Sequence, residues 1–153
     1  MATAQYRRPY VDTSVYLAAI NDEVDRAPIA REIFEAASRG DISIVASTFV
    51  AAEIIRPRWE QAPLAEDKER IIDEVLPASR IIWVELDLPL AAEARRLARR
   101  HGLKPADAVH LASALRANCD ILLRWNHRFH VASDFPEIEV SDPYWWGDLT
   151  LPL

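Results

Sequence analysis

Short apolar runs rich in β-branched residues alternate along this chain with longer segments whose apolar residues recur every three or four positions. Tyr10-Val11 is such a run, closed by the cap-forming Asp12-Thr13-Ser14, and predicts a short buried strand followed by a helix over 15–20. Over 27–39, Ile29, Ile33, Phe34 and Ala37 fall on one stripe and Gly40 stands just past the end, which predicts an amphipathic helix. The run 42–46 predicts a second strand, and Ser47 or Thr48 then caps a helix over 49–56 bounded by Pro57. A charged amphipathic helix is predicted over 64–76, ending before Pro77, and a third strand over 80–86 built on Ile81, Ile82 and Val84. Two helices follow, over 90–101 with Gly102 at the end and over 105–118 opened by Pro105. Residues 119–123 supply a fourth strand and 137–140 a weaker fifth, before a tail over 141–153 with Tyr144, Trp145 and Trp146.

Strands alternating with helices of this length imply a parallel sheet covered on both faces. The expected fold class is α/β, a three-layer α/β/α sandwich around a mainly parallel, roughly five-stranded sheet. At 153 residues the chain is expected to form one domain over 1–153. Half of the residues are hydrophobic, 27% are charged and only 3 are Gly, which argues against collagen-like, low-complexity and disordered classes. Cys119 is the single cysteine, which rules out an internal disulfide and multi-cysteine zinc sites and fits a reducing compartment. The first ten residues lack the apolar stretch of an export signal, and charged residues interrupt every apolar run well short of the ~18 needed for a membrane span. A cytoplasmic protein without a membrane segment is expected. The net charge of −6 means that contact with nucleic acid must come from a local basic face.

In an open parallel sheet, ligands bind beyond the carboxyl ends of the strands, so acids just after strands carry most weight. Asp12 lies at such a point, where helix capping is the competing explanation. Glu53 interrupts the apolar sequence Phe49-Val50-Ala51-Ala52 and Ile54-Ile55 and needs a partner, either Arg56 or Arg58 in an ion pair or a bound cation. Asp107 lies in the first turn of a largely core-facing helix, where the helix dipole alone would favour a carboxylate. Converging, these three would form an all-oxygen site suited to Mg²⁺ or Mn²⁺. Their mutual repulsion would be relieved by a divalent ion, which is therefore expected to stabilise the fold, increasingly so as pH rises.

The segments Tyr10-Val11-Asp12-Thr13-Ser14, Ser47-Thr48-Phe49-Val50-Ala51-Ala52-Glu53-Ile54 and Lys104-Pro105-Ala106-Asp107-Ala108-Val109-His110-Leu111-Ala112 resemble, in order and separation, the PIN-domain family and within it the VapC-type ribonuclease toxins of toxin–antitoxin pairs. The resemblance covers about residues 9–129. It implies a metal-dependent endoribonuclease, with Asp12, Glu53 and Asp107 as metal-site acids and Ser14 as a hydroxyl that organises the site; N-capping accounts for Ser14 equally well. After the fourth strand many relatives carry a further acid, whereas this chain has Asn126, which can coordinate or hold a water but adds no charge. The resemblance also implies an antitoxin partner bound near the helices that begin at Ala27 and Phe49, a surface that a homodimer could share.

Hydrolysis of a phosphodiester requires a neutralised phosphate, a hydroxide formed near neutral pH and a stabilised leaving oxygen. The expected catalytic residues are Asp12, Glu53, Asp107 and Asn126, with Glu53 completing the cluster or acting as base. Arg124, His127 and Arg128 are the expected RNA contacts, whereas Arg95, Arg96, Arg99, Arg100, His101 and Lys104 read first as a solvated helix face. Trp125 is expected in the core rather than against a base, and the Tyr144-Trp145-Trp146 cluster is expected to seal the core. His110 reads as a residue bordering the core, with histidine acid–base catalysis as a minor alternative. Two competing functions are a catalytically weak PIN-like module that binds RNA or protein, and phosphotransfer through Asp12. The second would need an acid where Ser14 stands.

Overall fold

The computed structural model describes residues 6–54, 65–78, 80–125 and 138–144. Its elements run β1 (Pro9–Val11), α1 (Thr13–Ile20), α2 (Ala27–Arg39), β2 (Ile44–Ser47), α3 (Thr48–Glu53), α4 (Glu66–Ala78), β3 (Ile81–Val84), α5 (Leu88–His101), α6 (Pro105–Arg116), β4 (Ile121–Leu123) and β5 (Glu139–Ser141). The five strands form one sheet in the order β3-β2-β1-β4-β5, and every neighbouring pair is parallel. Tyr10 lies in register with Val45 on one side and Leu122 on the other.

Because successive side chains leave a strand on opposite faces, each central strand feeds two cores. Val11, Ile44, Ala46, Ile121 and Leu123 join Val15, Ala30, Ile33 and Val50 in one core, under α1, α2 and α3. Tyr10, Val45 and Leu122 face the other way and pack with Leu90, Ala94, Leu97, Leu111 and Ala112 of α5 and α6. This is the expected three-layer sandwich, with an entirely parallel sheet. Trp125 is 8% exposed within the first core, its ring beneath the Arg26 guanidinium at 5.2 Å, so it packs rather than presents a free face. Tyr144 closes the same core, meeting Tyr6 edge to face at 5.4 Å and accepting the Tyr6 hydroxyl proton at its carbonyl oxygen. Trp145 and Trp146 lie outside the described residues.

Some boundaries differ from those expected. The helix expected over 64–76 runs from Glu66 to Ala78, through Pro77. Pro77 is the penultimate helical residue, so its missing N–H affects only the final turn. The helix expected to begin at residue 90 opens two residues earlier, because Asp87 caps it by accepting from the Leu90 N–H at 2.8 Å and Pro89 suits the first turn. The helix expected over 49–56 ends at Glu53, and the fifth strand spans Glu139–Ser141 rather than 137–140. Gly40 and Gly102 end α2 and α5 in the left-handed region, at φ 83° and 66°. Among the described residues no helix is long and apolar enough to cross a membrane.

Cys119 sits 5% exposed just before β4, and burial pushes its thiol up to about 12 from the ordinary 9.0. The thiolate is the reactive form, so native protein is expected to resist maleimide at pH 8 and to label fully once unfolded, as mass spectrometry would read. The raised value also sets the sign of its contribution to stability. That contribution is complete below pH 9.0 and declines above it, because the unfolded thiol then loses its proton first.

Candidate active site

The acids lie where the sheet ends. Asp12 follows β1 directly; its backbone N–H donates to the Leu123 carbonyl at 3.0 Å, continuing the β1–β4 pairing by one residue. Its side chain caps α1, with Oδ2 accepting from the Ser14 N–H at 3.3 Å and the Ser14 hydroxyl at 3.0 Å. The expected capping is present, and the other carboxylate oxygen, Oδ1, is left facing the His110 ring. Ser14 Oγ also accepts from the Trp125 N–H at 3.2 Å, tying the first acid to the segment after β4. That bond links the first turn of α1 to the segment after β4, 111 residues away in the chain.

Glu53 ends α3, which Ser47 caps by accepting from the Phe49 N–H at 3.1 Å. Its Oε1 accepts from the Thr13 hydroxyl at 2.7 Å and lies 2.6 Å from His110 Nε2. Arg56 and Arg58, the partners considered from the sequence, lie outside the described residues. The His110 ring is 2% exposed, and the same Nε2 stands 3.4 Å from Asp12 Oδ1. Asp12 and Glu53 therefore converge on one imidazole nitrogen.

Tyr10 holds that ring from behind. Its hydroxyl oxygen accepts from the Ser47 N–H at 3.1 Å and lies 2.7 Å from His110 Nδ1. With the oxygen so engaged, the hydroxyl proton of Tyr10 serves Nδ1 of the neutral ring, leaving Nε2–H to face the carboxylates. Tyr10 and Phe49 flank the imidazole at ring-centroid distances of 5.7 and 5.9 Å. Burial pushes the His110 pKa down, but the Glu53 hydrogen bond and the negative charges of Asp12 and Glu53 outweigh it and hold the ring above its ordinary value. Arg124 opposes that rise, which places its charge within reach of the same ring.

Asp107 occupies the first turn of α6, as expected, and has a different partner. Its Oδ1 lies 3.1 Å from Arg124 Nη1, with the two side chains 18% and 8% exposed. Arg124, expected to face RNA, is turned into the acidic centre. The expected convergence is thus partial: Asp12 and Glu53 meet at His110, while Asp107 is held by Arg124. Among the described residues no group of three or more His, Cys, Asp or Glu is placed to hold a metal ion. Asn126, His127 and Arg128 lie outside the described residues.

Tyr10 and Thr13, to which the sequence assigned no role here, contact this centre, and His110, read there as a residue bordering the core with acid–base catalysis a minor alternative, lies at its middle. The one available signal was a histidine embedded among Ala108, Leu111 and Ala112 on a core-facing helix, where a buried ring nitrogen must find a partner.

The PIN domain profile matches residues 10–134, which takes in β1 through β4 and every acid described above. The chain belongs to the PIN domain family. Several solved structures share the fold of this PIN domain at low identity. Mycobacterium tuberculosis VapC20, a Sarcin-Ricin loop cleaving toxin, is 17% identical with a TM-score of 0.65, covering 86% of this chain and 98% of its own. A toxin–antitoxin complex from Klebsiella pneumoniae aligns at 18% identity and TM-score 0.62, over 89% and 98% of the two chains. VapBC2 from Rickettsia felis, bound to a promoter DNA fragment, aligns at 18% and 0.60, over 88% and 98%. No curated protein sequence matches this chain.

The PIN domain's donor set fits a hard divalent ion in type: Asp12, Glu53 and Asp107 offer carboxylate oxygens only, and two of them already point at one locus. At present that locus holds the His110 Nε2–H, and Asp107 is neutralised by Arg124.

The hydroxyl of Tyr10 satisfies two buried groups at once, so Tyr10→Phe is expected to cost roughly 1–3 kcal/mol by leaving the Ser47 N–H and His110 Nδ1 unpaired. Urea denaturation of the two proteins would measure it.

Proposed function

We propose that this PIN domain is an endoribonuclease that hydrolyses RNA phosphodiester bonds, with Mg²⁺ or Mn²⁺ held by Asp12, Glu53 and Asp107, and that it acts as the toxin of a type II toxin–antitoxin pair in the cytoplasm. The observation that supports this most directly is the meeting of Asp12, just after β1, and Glu53, at the end of α3, within 3.4 and 2.6 Å of one nitrogen at the sheet's carboxyl edge. Two carboxylates sharing a locus the size of a cation are what a phosphate-bearing substrate and its counter-ion require.

A bound divalent ion would supply charge neutralisation of the phosphate and a water acidic enough to ionise near neutral pH. The chain's own groups do the positioning. Ser14 fixes the Asp12 carboxylate through Oδ2, and the Thr13 hydroxyl fixes Glu53 through Oε1. Glu53 completes the acidic cluster or takes the proton of the attacking water, and Asn126 positions that water or the phosphate. His127 and Arg128 are proposed as RNA contacts, since Arg124 is committed to Asp107.

An antitoxin is the proposed protein partner, and the VapBC and toxin–antitoxin neighbours support that choice. An apolar cavity of about 200 Å³ between α1, α2 and α4, lined by Tyr16, Ile20, Phe34, Ile71, Leu76 and Ile81, suits an apolar segment. The same face could serve a homodimer.

One observation favours a second reading, a catalytically weak PIN-like binding module: His110 and Arg124 already occupy the acids. Incubating a mixed RNA pool with purified, antitoxin-free protein in Mg²⁺, Mn²⁺ or EDTA separates the two. Metal-dependent cleavage that falls roughly 10²–10³-fold in Asp12→Asn and Asp107→Asn is expected. Folded protein that binds RNA but cleaves none of it under any metal would instead establish the binding module.

A further inference from the structure

Two side chains of the protein itself face the acids, the His110 ring and the Arg124 guanidinium, and only the second is a planar fork of N–H donors that matches a carboxylate. Arg124 is held in place through its backbone. Its backbone N–H donates to the Ser141 carbonyl at 3.0 Å, fixing it against β5. The next residue, Trp125, is held by the Ser14 hydroxyl at 3.2 Å and by core packing. The Arg124 side chain, 8% exposed, is therefore delivered to Asp107 by a rigid strand end rather than by a surface loop.

A carboxylate oxygen that accepts from a guanidinium and one that coordinates a divalent ion use the same lone pairs, and two cations at one carboxylate repel each other. Asp107 Oδ1 can serve one or the other. We propose that Arg124 is an internal counter-cation that competes with the divalent ion for Asp107 and so sets how tightly this PIN domain holds metal. This rests on the reading of Asp107 as a metal-site acid. Arg124 is in this sense a positioning residue: it keeps the metal-free centre intact and must release Asp107 when an ion binds there.

The test is calorimetric titration of MnCl₂ into the full chain, with Mn²⁺-induced melting shifts as a second readout. Arg124→Met, which keeps the buried stem but removes the charge, is expected to tighten the Mn²⁺ dissociation constant roughly 10–100-fold and to enlarge the melting shift. Arg124→Lys, which keeps the charge, should stay close to the unmodified protein. Adding Asp107→Asn should abolish the gain. If Arg124→Met does not fold, Arg124→Gln keeps a hydrogen-bond donor without the charge and carries the same expectation. A merely structural role would lower the melting temperature and leave the Mn²⁺ affinity unchanged, which would overturn the competition while sparing the metal reading. Failure of the unmodified protein and both neutral variants to bind Mn²⁺ would overturn both.

Discussion

A carboxylate removed from water must find a positive or hydrogen-bonding partner, and this requirement shapes the carboxyl edge of the sheet. Asp12 and Glu53 satisfy it through one atom, Nε2 of His110. That atom is fixed in turn by Tyr10 from the middle of β1, and Tyr10 is fixed by the Ser47 N–H at the junction of β2 and α3. A single chain of hydrogen bonds therefore runs from the sheet interior to the acids. Removing one member of a buried ionic link leaves the other uncompensated, at about 3–5 kcal/mol, so the site is part of what holds the upper edge of the fold together.

The same constraint explains how a chain with a net charge of −6 can gather acids without bursting apart. Each carboxylate arm meets its own internal donor, His110 Nε2 on one side and the Arg124 guanidinium on the other. Hydroxyls do the finer work: Thr13, Ser14 and Tyr10 each fix one acid or the ring that faces it. A divalent ion at this centre would have to displace partners the acids already hold, so its affinity would be the difference between its own interactions and those it displaces.

Much of this was legible in the linear chain. The apolar periodicity of 27–39, the glycines after α2 and α5 and the proline opening α6 specified elements found within a residue or two, because capping and periodicity are local properties. The alternation of strand and helix specified the layers, since a strand apolar on both faces needs a cover on each. Asp12, Glu53 and Asp107 could be picked out as acids placed after strands or inside apolar helical surroundings, where a carboxylate is costly without a purpose. The exact ends of α4 and α5 could not, because a proline in the last turn of one and an Asp cap just ahead of the expected start of the other each change the outcome by about one hydrogen bond.

What the chain did not disclose is which partner each acid takes. His110 and Asp107 are three residues apart on one helix, yet the first meets Glu53 from 57 positions away and the second meets Arg124 from 17 positions away. Those pairings depend on the strand order β3-β2-β1-β4-β5, which brings the ends of β1 and β2 beneath α6 and sets Arg124 beside Asp107. Interactions that reach three or four residues along the chain set the elements and mark out the acids. The partners of those acids follow from the assembled fold, because charge compensation acts through space and is set by which strand ends become neighbours.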